Sequence, residues 1–388
     1  MIKLGIFTTH PIQYFCPIWK KLALKPQLDM TVYFFSDNSL RNGFDPGFNK
    51  AITWDIDLLS GYKSVFISHD ANLNNPWSIK IPHAYDFLKS NSFDCILIQG
   101  YTYGFAVQIR QLRSRLKNRL IFQGELTDRR RPFALEIIHR TYLSWFYKEI
   151  HHFGVIGENA RRHLIQHGIS ESQMTFCPYS VDTDLFEKQR TQFSREKSRR
   201  DLNLAPTDFV IIFSGKFIPR KNPLLLLQAI AKLKRDDIKC ILMGEGPMNQ
   251  EIQSFAHRYL PHQLIFQGFV NQSQLGKFYQ AADLAVLPSK FETWGLAVNE
   301  AMQFGLPVIV SDGVGSRFDL VKPGVTGYVF PEGDVNALAL YIEKLVNQPM
   351  QVKQMGIHAR NLISLFYNNQ FTVEGIYQAV QSTMNHFI

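Results

Sequence analysis

Lys216, Arg220 and Lys221 fall within six positions, directly after the apolar run Val210–Ser214 and inside Gly215-Lys216-Phe217-Ile218-Pro219-Arg220-Lys221-Asn222-Pro223. Cations held that closely at a strand end can neutralise the charge that grows on a departing diphosphate, without magnesium. Pro219 restricts the loop, and Pro223 suits the first turn of a following helix. A solvated basic turn is the plainer reading of the same residues. A second segment, Pro288-Ser289-Lys290-Phe291-Glu292-Thr293-Trp294-Gly295-Leu296-Ala297-Val298-Asn299-Glu300, carries two carboxylates eight positions apart. A helix beginning near Trp294 or Gly295 aims its unpaired backbone N–H groups back at the strand ends, where an anion would lie. Glu300 then stands roughly 7–8 Å further along the helix at 1.5 Å per residue, which suits phosphate at one end and ribose at the other. One carboxylate would hold sugar hydroxyls and the other ribose hydroxyls. The alternative makes Glu292 a helix-entry charge and Glu300 a surface residue. Against it, Glu300 lies in the apolar stretch GLAVNEAM, where an unpaired carboxylate is costly.

Weaker signals surround these two segments. Met243-Gly244-Glu245-Gly246-Pro247 is a glycine turn that permits close backbone approach, and ordinary turn chemistry explains it as well. Gly268, Phe269 and Val270 close another apolar run, where Gly268 could let main-chain groups read a nucleobase edge; Asn271-Gln272-Ser273 also reads as a helix cap. In the first half, His10 follows the first apolar run and Glu125 a later one, so both are expected to border the cleft. His10 positions a hydroxyl, takes its proton, or caps a turn. Asp55-Ile56-Asp57 has the spacing of a metal-binding pair, but cationic phosphate ligands leave no electrostatic need for that metal. No His/Cys/Glu cluster has metal-ligand spacing. Neither a metal nor a cofactor is expected.

The elements that must position these residues alternate. In the first half, apolar runs at Lys3–Thr9, Met30–Phe35, Asp94–Gly100, Arg119–Gly124, Phe153–Gly157 and Met174–Pro178 are separated by amphipathic stretches such as Phe105–Leu116 and Phe133–Lys148. That pattern predicts a parallel sheet covered by helices on both faces. Glu187 to Arg200 (EKQRTQFSREKSRR) breaks the pattern and reads as a linker. The alternation then restarts with Val210–Gly215, Lys239–Gly244, Leu264–Phe269, Leu284–Ser289 and Val308–Asp312. The expected organisation is α/β: a Rossmann-like first domain over 1–187, a linker over 188–204, and a second Rossmann-like domain over 205–370, the two facing a central cleft. Residues 371–388 form a helix with no strand after it, which is expected to return to the first domain and pack back on it.

Composition narrows the class. At 388 residues the chain exceeds one hydrophobic core. With 45% hydrophobic and 19% charged residues it is globular, and no run reaches the roughly 18 apolar residues that span a bilayer. The net charge of +9 sits in the first half and in residues 188–200, and residues 201–388 balance. Without a basic helix carrying interleaved aromatics, nucleic acid is not an expected partner. Anionic lipid is a reasonable one, since each surface Lys or Arg contributes about 1 kcal/mol near an acidic membrane. Arg129-Arg130-Arg131-Pro132-Phe133, continuing through Tyr142, Trp145, Phe146 and Tyr147, could rest on such a surface, although aromatics on a helix more often pack into the core. Cys16, Cys95, Cys177 and Cys240 are scattered, and reduced, buried thiols of a cytoplasmic protein are expected.

The sequence resembles the retaining family 4 glycosyltransferases of the GT-B fold over most of its length. Glu292 and Glu300, enclosing an aromatic-Gly-Leu entry, look like the family's paired-glutamate motif. Gly215-Lys216 with Lys221 is similar to its strand-end Gly-Arg followed by Lys, with lysine replacing an arginine that could grip phosphate with two prongs. By resemblance, Lys216 and Lys221 hold the diphosphate, Glu292 the hexose hydroxyls and Glu300 the ribose, while amides from Thr293 to Leu296 (Thr293, Trp294, Gly295, Leu296) cover the phosphates. Pro178–Phe186 and Pro323–Val329 look like further family segments, and Gly313–Asp319 is similar to a stretch that usually ends in glutamate, with no role assigned. Thr9-His10-Pro11-Ile12-Gln13-Tyr14, Trp54–Tyr62 and Gln123-Gly124-Glu125 resemble a subset that assembles surface and exopolysaccharides, making His10, Gln13, Tyr14 and Glu125 the acceptor-side candidates. The resemblance implies transfer of a hexose, with glucose from UDP-glucose as the expected donor, to a saccharide or lipid-linked saccharide with retention. Peripheral contact with the inner face of a membrane goes with it. A UDP-sugar epimerase or hydrolase, and a binding protein without catalysis, are the alternatives. Alanine at Glu292 or Lys221 is expected to abolish transfer and leave folding intact.

Overall fold

The computed structural model of the chain describes residues 1–45, 47–126 and 132–385. Fifteen strands are seen among them. In the first half these are β1 (Ile2–Phe7), β2 (Leu28–Phe34), β3 (Gly43–Asp45), β4 (Lys50–Ile52), β5 (Lys63–Phe66), β6 (Cys95–Gln99), β7 (Arg119–Gln123), β8 (His152–Val155) and β9 (Met174–Phe176). In the second they are β10 (Phe209–Ser214), β11 (Ile238–Met243), β12 (Leu264–Gly268), β13 (Leu284–Leu287), β14 (Val308–Ser311) and β15 (Gly327–Phe330). The short strands β3, β4 and β5 escape the sequence reading because three or four half-exposed residues carry too little periodicity. β15 hides inside what reads as a glycine turn.

Two parallel sheets result, ordered β5-β2-β1-β6-β7-β8-β9 and β12-β11-β10-β13-β14-β15. The central strands are mostly apolar, as burial on both faces requires; Ile211, Ile212 and Phe213 are buried completely or nearly so. In each sheet the strand order reverses beside the first strand, between β1 and β6 and between β10 and β13. That reversal makes the switch point outside whose carboxyl ends a doubly wound sheet binds ligands.

The chain divides into two compact units, Met1–Gly43 with Asp57–Tyr179 and Asn369–Ile388, and Phe44–Ile56 with Ser180–Asn368. The final helix, Asn369–Asn385, returns to the first sheet, as its lack of a following strand suggests. It buries Val373, Ile376, Ala379 and Val380 in the core that β1 and β2 share with the helix Cys16–Leu22. It also crosses β9 so closely that a Cβ on Gly375 would sit 2.2 Å from the Phe176 carbonyl oxygen.

Residues 188–204, expected as a linker, are mostly helical and packed: Thr183–Gln192 and Arg195–Asp201 belong to the second unit. Several of their charges have partners. Arg199 is buried, donating to the carbonyls of Ala281, Ala205, Pro206 and Asp208 and to the Asp283 carboxylate. A stripe of arginines gives no apolar period, so the packing does not show in the sequence.

The helix Phe133–Tyr147 resolves its two readings by position. Leu143, Phe146 and Tyr147 at its end are buried, whereas Phe133, Leu135, Ile137 and Ile138 at its start are exposed. Arg129-Arg130-Arg131 lie outside the described residues. All four cysteines are buried and unpaired, and burial pushes the thiols up, to about 11 at Cys16 and about 12 at Cys95. Among the described residues, no helix is long and apolar enough to cross a membrane.

Candidate active site

In the second unit the strand-end glycines come together. Gly215 after β10, Gly244 after β11 and Gly268 closing β12 stack main chain on main chain: Gly215 donates to the Met243 carbonyl and Gly244 to that of Gly268. A Cβ on Gly244 would lie 1.9 Å from the Gly215 carbonyl oxygen, which no side chain tolerates. The three loops are thereby held close, and bare backbone lines the strand ends.

Across the switch point the loops after β10 and β13 are tied by a bond from Lys290 N–H to the Arg220 carbonyl, 2.8 Å long. Within that frame Lys221 Nζ lies 2.7 Å from Glu292 Oε1, and both side chains are largely buried. The basic turn is therefore not merely solvated, at least at Lys221, and Glu292 is not a simple helix-entry charge. Arg220 itself is exposed.

Gly295, at φ +97°, turns the chain into the helix Leu296–Gln303, the start anticipated to within two residues. The Trp294 side chain is buried and donates to Asn299 Oδ1 at 2.8 Å, while Thr293 and Leu296 are half-buried. Glu300 is buried as well, and its Oε2 accepts from the Tyr279 hydroxyl at 2.8 Å. The surface alternative for Glu300 falls away.

The segment Gly313-Val314-Gly315, to which the sequence lends no role, is what braces this loop. Glu292 N–H donates to the Gly313 carbonyl and Gly315 N–H to that of Glu292, so Val314 runs parallel to Glu292. A Cβ at Gly313 would come 2.3 Å from the Lys290 carbonyl oxygen, and at Gly315 2.0 Å from that of Thr293. Asp319, in place of the usual glutamate, accepts from Tyr367, whose ring lies against Trp294.

Lys216 is not beside Glu292. Its Nζ reaches both Asp45 carboxylate oxygens at 2.8 Å and lies 4.9 Å from the centre of the Phe48 ring. Burial would raise the Asp45 carboxyl, but Lys216 and the Phe48 and Gly47 amides outweigh it and hold its pKa below the usual carboxylate range. The stretch between β3 and β4 thus belongs to the second unit. From the same stretch Lys50 reaches Glu245 at 3.2 Å, and Phe48 and Trp54 pack on Phe269. Phe269 N–H donates to Glu245 rather than standing open, leaving Gly268 and half-buried Val270 as the remaining backbone candidates for a base edge. Asp45, Lys50 and Tyr279 are missing from the sequence reading, and Glu245 enters it only as part of a glycine turn; Asp45-Pro46-Gly47, a turn signature, is the local sign for Asp45.

Asp55 and Asp57 take separate work. Asp55 accepts from the Ser273 amide and hydroxyl, while Asp57 accepts from the Leu59 and Ser60 amides and the Ser60 hydroxyl. The Ser60 bond, first among these, holds the Asp57 carboxyl far below its ordinary value. Both carboxylates act as turn caps. Among the described residues no group of three or more His, Cys, Asp or Glu is placed to hold a metal.

In the first unit, His10 follows β1 at the switch point, with its Nδ1 2.9 Å from Thr9 Oγ1. Thr9 also hydrogen-bonds Tyr103, which stands beyond β6. Burial, then the Glu125 charge, raises the Tyr103 hydroxyl, and the same two causes push Tyr179 well up. Glu125 after β7 is therefore electrostatically joined to two tyrosines that the sequence did not single out. Gln13 is buried and Tyr14 half-buried in the turn before the helix Cys16–Leu22.

Two doubly wound parallel sheets, each with chemistry-bearing residues at its switch point, define a protein of the two-Rossmann GT-B class. Within its second unit, residues 194–362 match the family described as Glycosyl transferases group 1. An uncharacterized glycosyltransferase of Methanocaldococcus jannaschii is 32% identical over 158 residues, 40% of this chain and 39% of that protein. The D-inositol 3-phosphate glycosyltransferase of Geodermatophilus obscurus is 33% identical over 189 residues, 45% of this chain and 40% of that one. The chain thus aligns with well under half the length of these curated relatives. Among solved structures, sucrose-phosphate synthase from Thermosynechococcus elongatus shares the fold with TM-score 0.78 at 18% identity, covering 99% of each chain. HepE from Anabaena in complex with UDP gives 0.74 at 18% identity, covering 98% of this chain and 100% of that one.

Proposed function

We propose that the protein is a hexosyltransferase that moves glucose from UDP-glucose to a saccharide or lipid-linked saccharide with retention of configuration, in polysaccharide assembly. The observation that carries this reading is the buried Lys221–Glu292 pair at the switch point of the second sheet, one turn from a helix start. An arriving diphosphate takes Lys221 as its counterion and releases Glu292 to accept from the hexose hydroxyls, while Glu300 accepts from ribose. Lys216 joins the diphosphate by leaving Asp45. Two lysines and a ring of amides neutralise the leaving group, so no metal is required. No carboxylate or thiol stands out as a nucleophile, which favours same-face substitution through an oxocarbenium-like state. His10 orients the acceptor hydroxyl and takes its single proton, and Glu125 helps to hold the acceptor. HepE has been solved with UDP-glucose, which supports the choice of donor.

Exposed Phe133, Leu135, Ile137 and Ile138, together with the basic first half, support peripheral contact with an anionic membrane surface. Product analysis with labelled UDP-glucose, in EDTA and with mixed saccharide acceptors, tests the proposal. A new glycoside with the donor's anomeric configuration supports it. Free glucose, an altered UDP-sugar, or a strict demand for manganese sinks it.

A further inference from the structure

On the opposite edge of the second sheet, at the amino ends of β13 and β14, lies a pocket of about 580 Å³. It is a strand's length from the proposed donor site, about 13 Å for four residues at 3.3 Å each. That volume falls within the range of small-molecule sites, about 300–1,000 Å³.

The lining is cationic on one side. Arg190, Arg195, Lys353 and Arg360 face the pocket, and Asp283 is the one acid among its lining residues. Asp283 is already shared by Arg195, at 2.5 Å, and Arg199, at 2.7 Å. Just beside the pocket, Glu187 receives Arg360 at 3.1 Å and Arg190 at 3.5 Å, together with the Gln303 side chain at 2.9 Å. Four arginines therefore share two carboxylates, and Lys353 adds a fifth cation to the pocket. Burial and then the neighbouring Arg360 charge lower the Arg190 pKa, against the opposing pull of Glu187. The Nε groups of Arg190 and Arg360, both buried, have no hydrogen-bond partner. The other wall is apolar, made by Phe304, Leu306, Pro307, Val352 and Ile357. Its floor is compact because Gly305 and Gly356 meet backbone to backbone, a Cβ on Gly356 falling 2.0 Å from the Gly305 carbonyl oxygen.

We propose that this pocket binds a phosphate ester of a small molecule, its phosphate held by Arg190, Lys353 and Arg360 and its body laid against the Phe304–Pro307 wall. A phosphate supplies the charge that Glu187 alone does not, and guanidiniums match its oxygens in a two-pronged geometry. A hydrated cation or an apolar ligand would leave that excess uncompensated. Tyr279 lines this pocket and also bonds Glu300, but Arg190, Lys353 and Arg360 are none of the proposed donor groups, so the proposal stands whether or not the proposed transfer is right.

Calorimetric titration tests it on the full-length protein carrying one equivalent of UDP, using hexose 6-phosphate, pyrophosphate and inorganic phosphate as probes. One further saturable site for the hexose 6-phosphate is expected, at least tenfold tighter than for inorganic phosphate. Lys353→Glu and Arg360→Gln should each weaken it at least tenfold while UDP affinity holds. Lys353 is exposed and has no ion-pair partner among the described residues, so its variant decides the matter even if Arg360→Gln fails to fold. The absence of a second saturable site, equal affinity for inorganic phosphate, or affinity unmoved by Lys353→Glu overturns the proposal.

Discussion

Lys221 and Glu292 hold one another in the ligand-free protein, and this changes what substitution should do. Alanine at Lys221 strands a buried carboxylate, and removing one partner of a buried pair costs about 3–5 kcal/mol. The expectation that alanine spares the fold therefore does not hold for this position. Glu292→Gln keeps an acceptor for Lys221 while losing the charge, and should cut transfer about 10²–10³-fold with little change in melting temperature. Thermal unfolding measured beside turnover distinguishes the two variants, and a glutamine variant with full activity would remove Glu292 from the site. Tyr279 offers a second probe. Tyr279→Phe leaves the buried Glu300 carboxylate short of a donor, at a cost of about 1–3 kcal/mol. Its UDP affinity, read by calorimetry, should weaken, and an unchanged value would dissociate Glu300 from ribose binding.

Element by element, the loop after β13 depends on a neighbour that touches no proposed ligand. Gly315→Ala drives a methyl into the Thr293 carbonyl, so the Phe291–Gly295 loop must move. Overpacking of this kind costs about 1–3 kcal/mol, and donor affinity should drop with it, measurable as a lower melting temperature and a larger dissociation constant for UDP. In the first unit, the edge from β7 to β8 holds a pH-dependent contact. His151 accepts from Leu120 N–H at Nδ1, and its Nε2 faces Arg113 at 2.6 Å. Burial, then the charges of Arg113 and Arg119, lower its pKa from 6.5 to about 4. The unfolded chain takes a proton near the ordinary value and the folded chain only near the lower one. Stability from this residue is therefore intact above about pH 6.5 and lost as the pH falls towards 4. The melting temperature should decline over that window, and His151→Gln should flatten that part of the decline.

For the molecule as a whole, the chain visits each unit more than once: residues 44–56 fold with the second unit, and residues 369–388 return to the first. Neither unit is a continuous stretch of sequence. The exposed apolar start of the helix Phe133–Tyr147 belongs to the first unit, where the charge excess also lies. Sedimentation with vesicles containing anionic lipid should pellet the protein at low salt. Changing Leu135 and Ile138 to serine should release it, without altering melting temperature, since both are more than half exposed. Binding that survives those changes would move the contact elsewhere or leave charge alone responsible.

The two sheets, their central strands, the glycines at their ends and the paired glutamates could be read from the residues alone. Each depends on local rules: apolar runs for doubly covered strands, turn chemistry at their ends, and helical rise between carboxylates. Partners were another matter. Lys216 finds Asp45 171 positions away, Glu300 finds Tyr279, and the Gly313–Gly315 stretch finds the loop it braces. The charged stretch 188–204 looks solvated until Asp283 and a set of carbonyls gather round Arg199. Periodicity records which way a side chain faces along its own element. Which opposite charge or carbonyl meets it there is set by how distant segments pack, and only the folded chain supplies that.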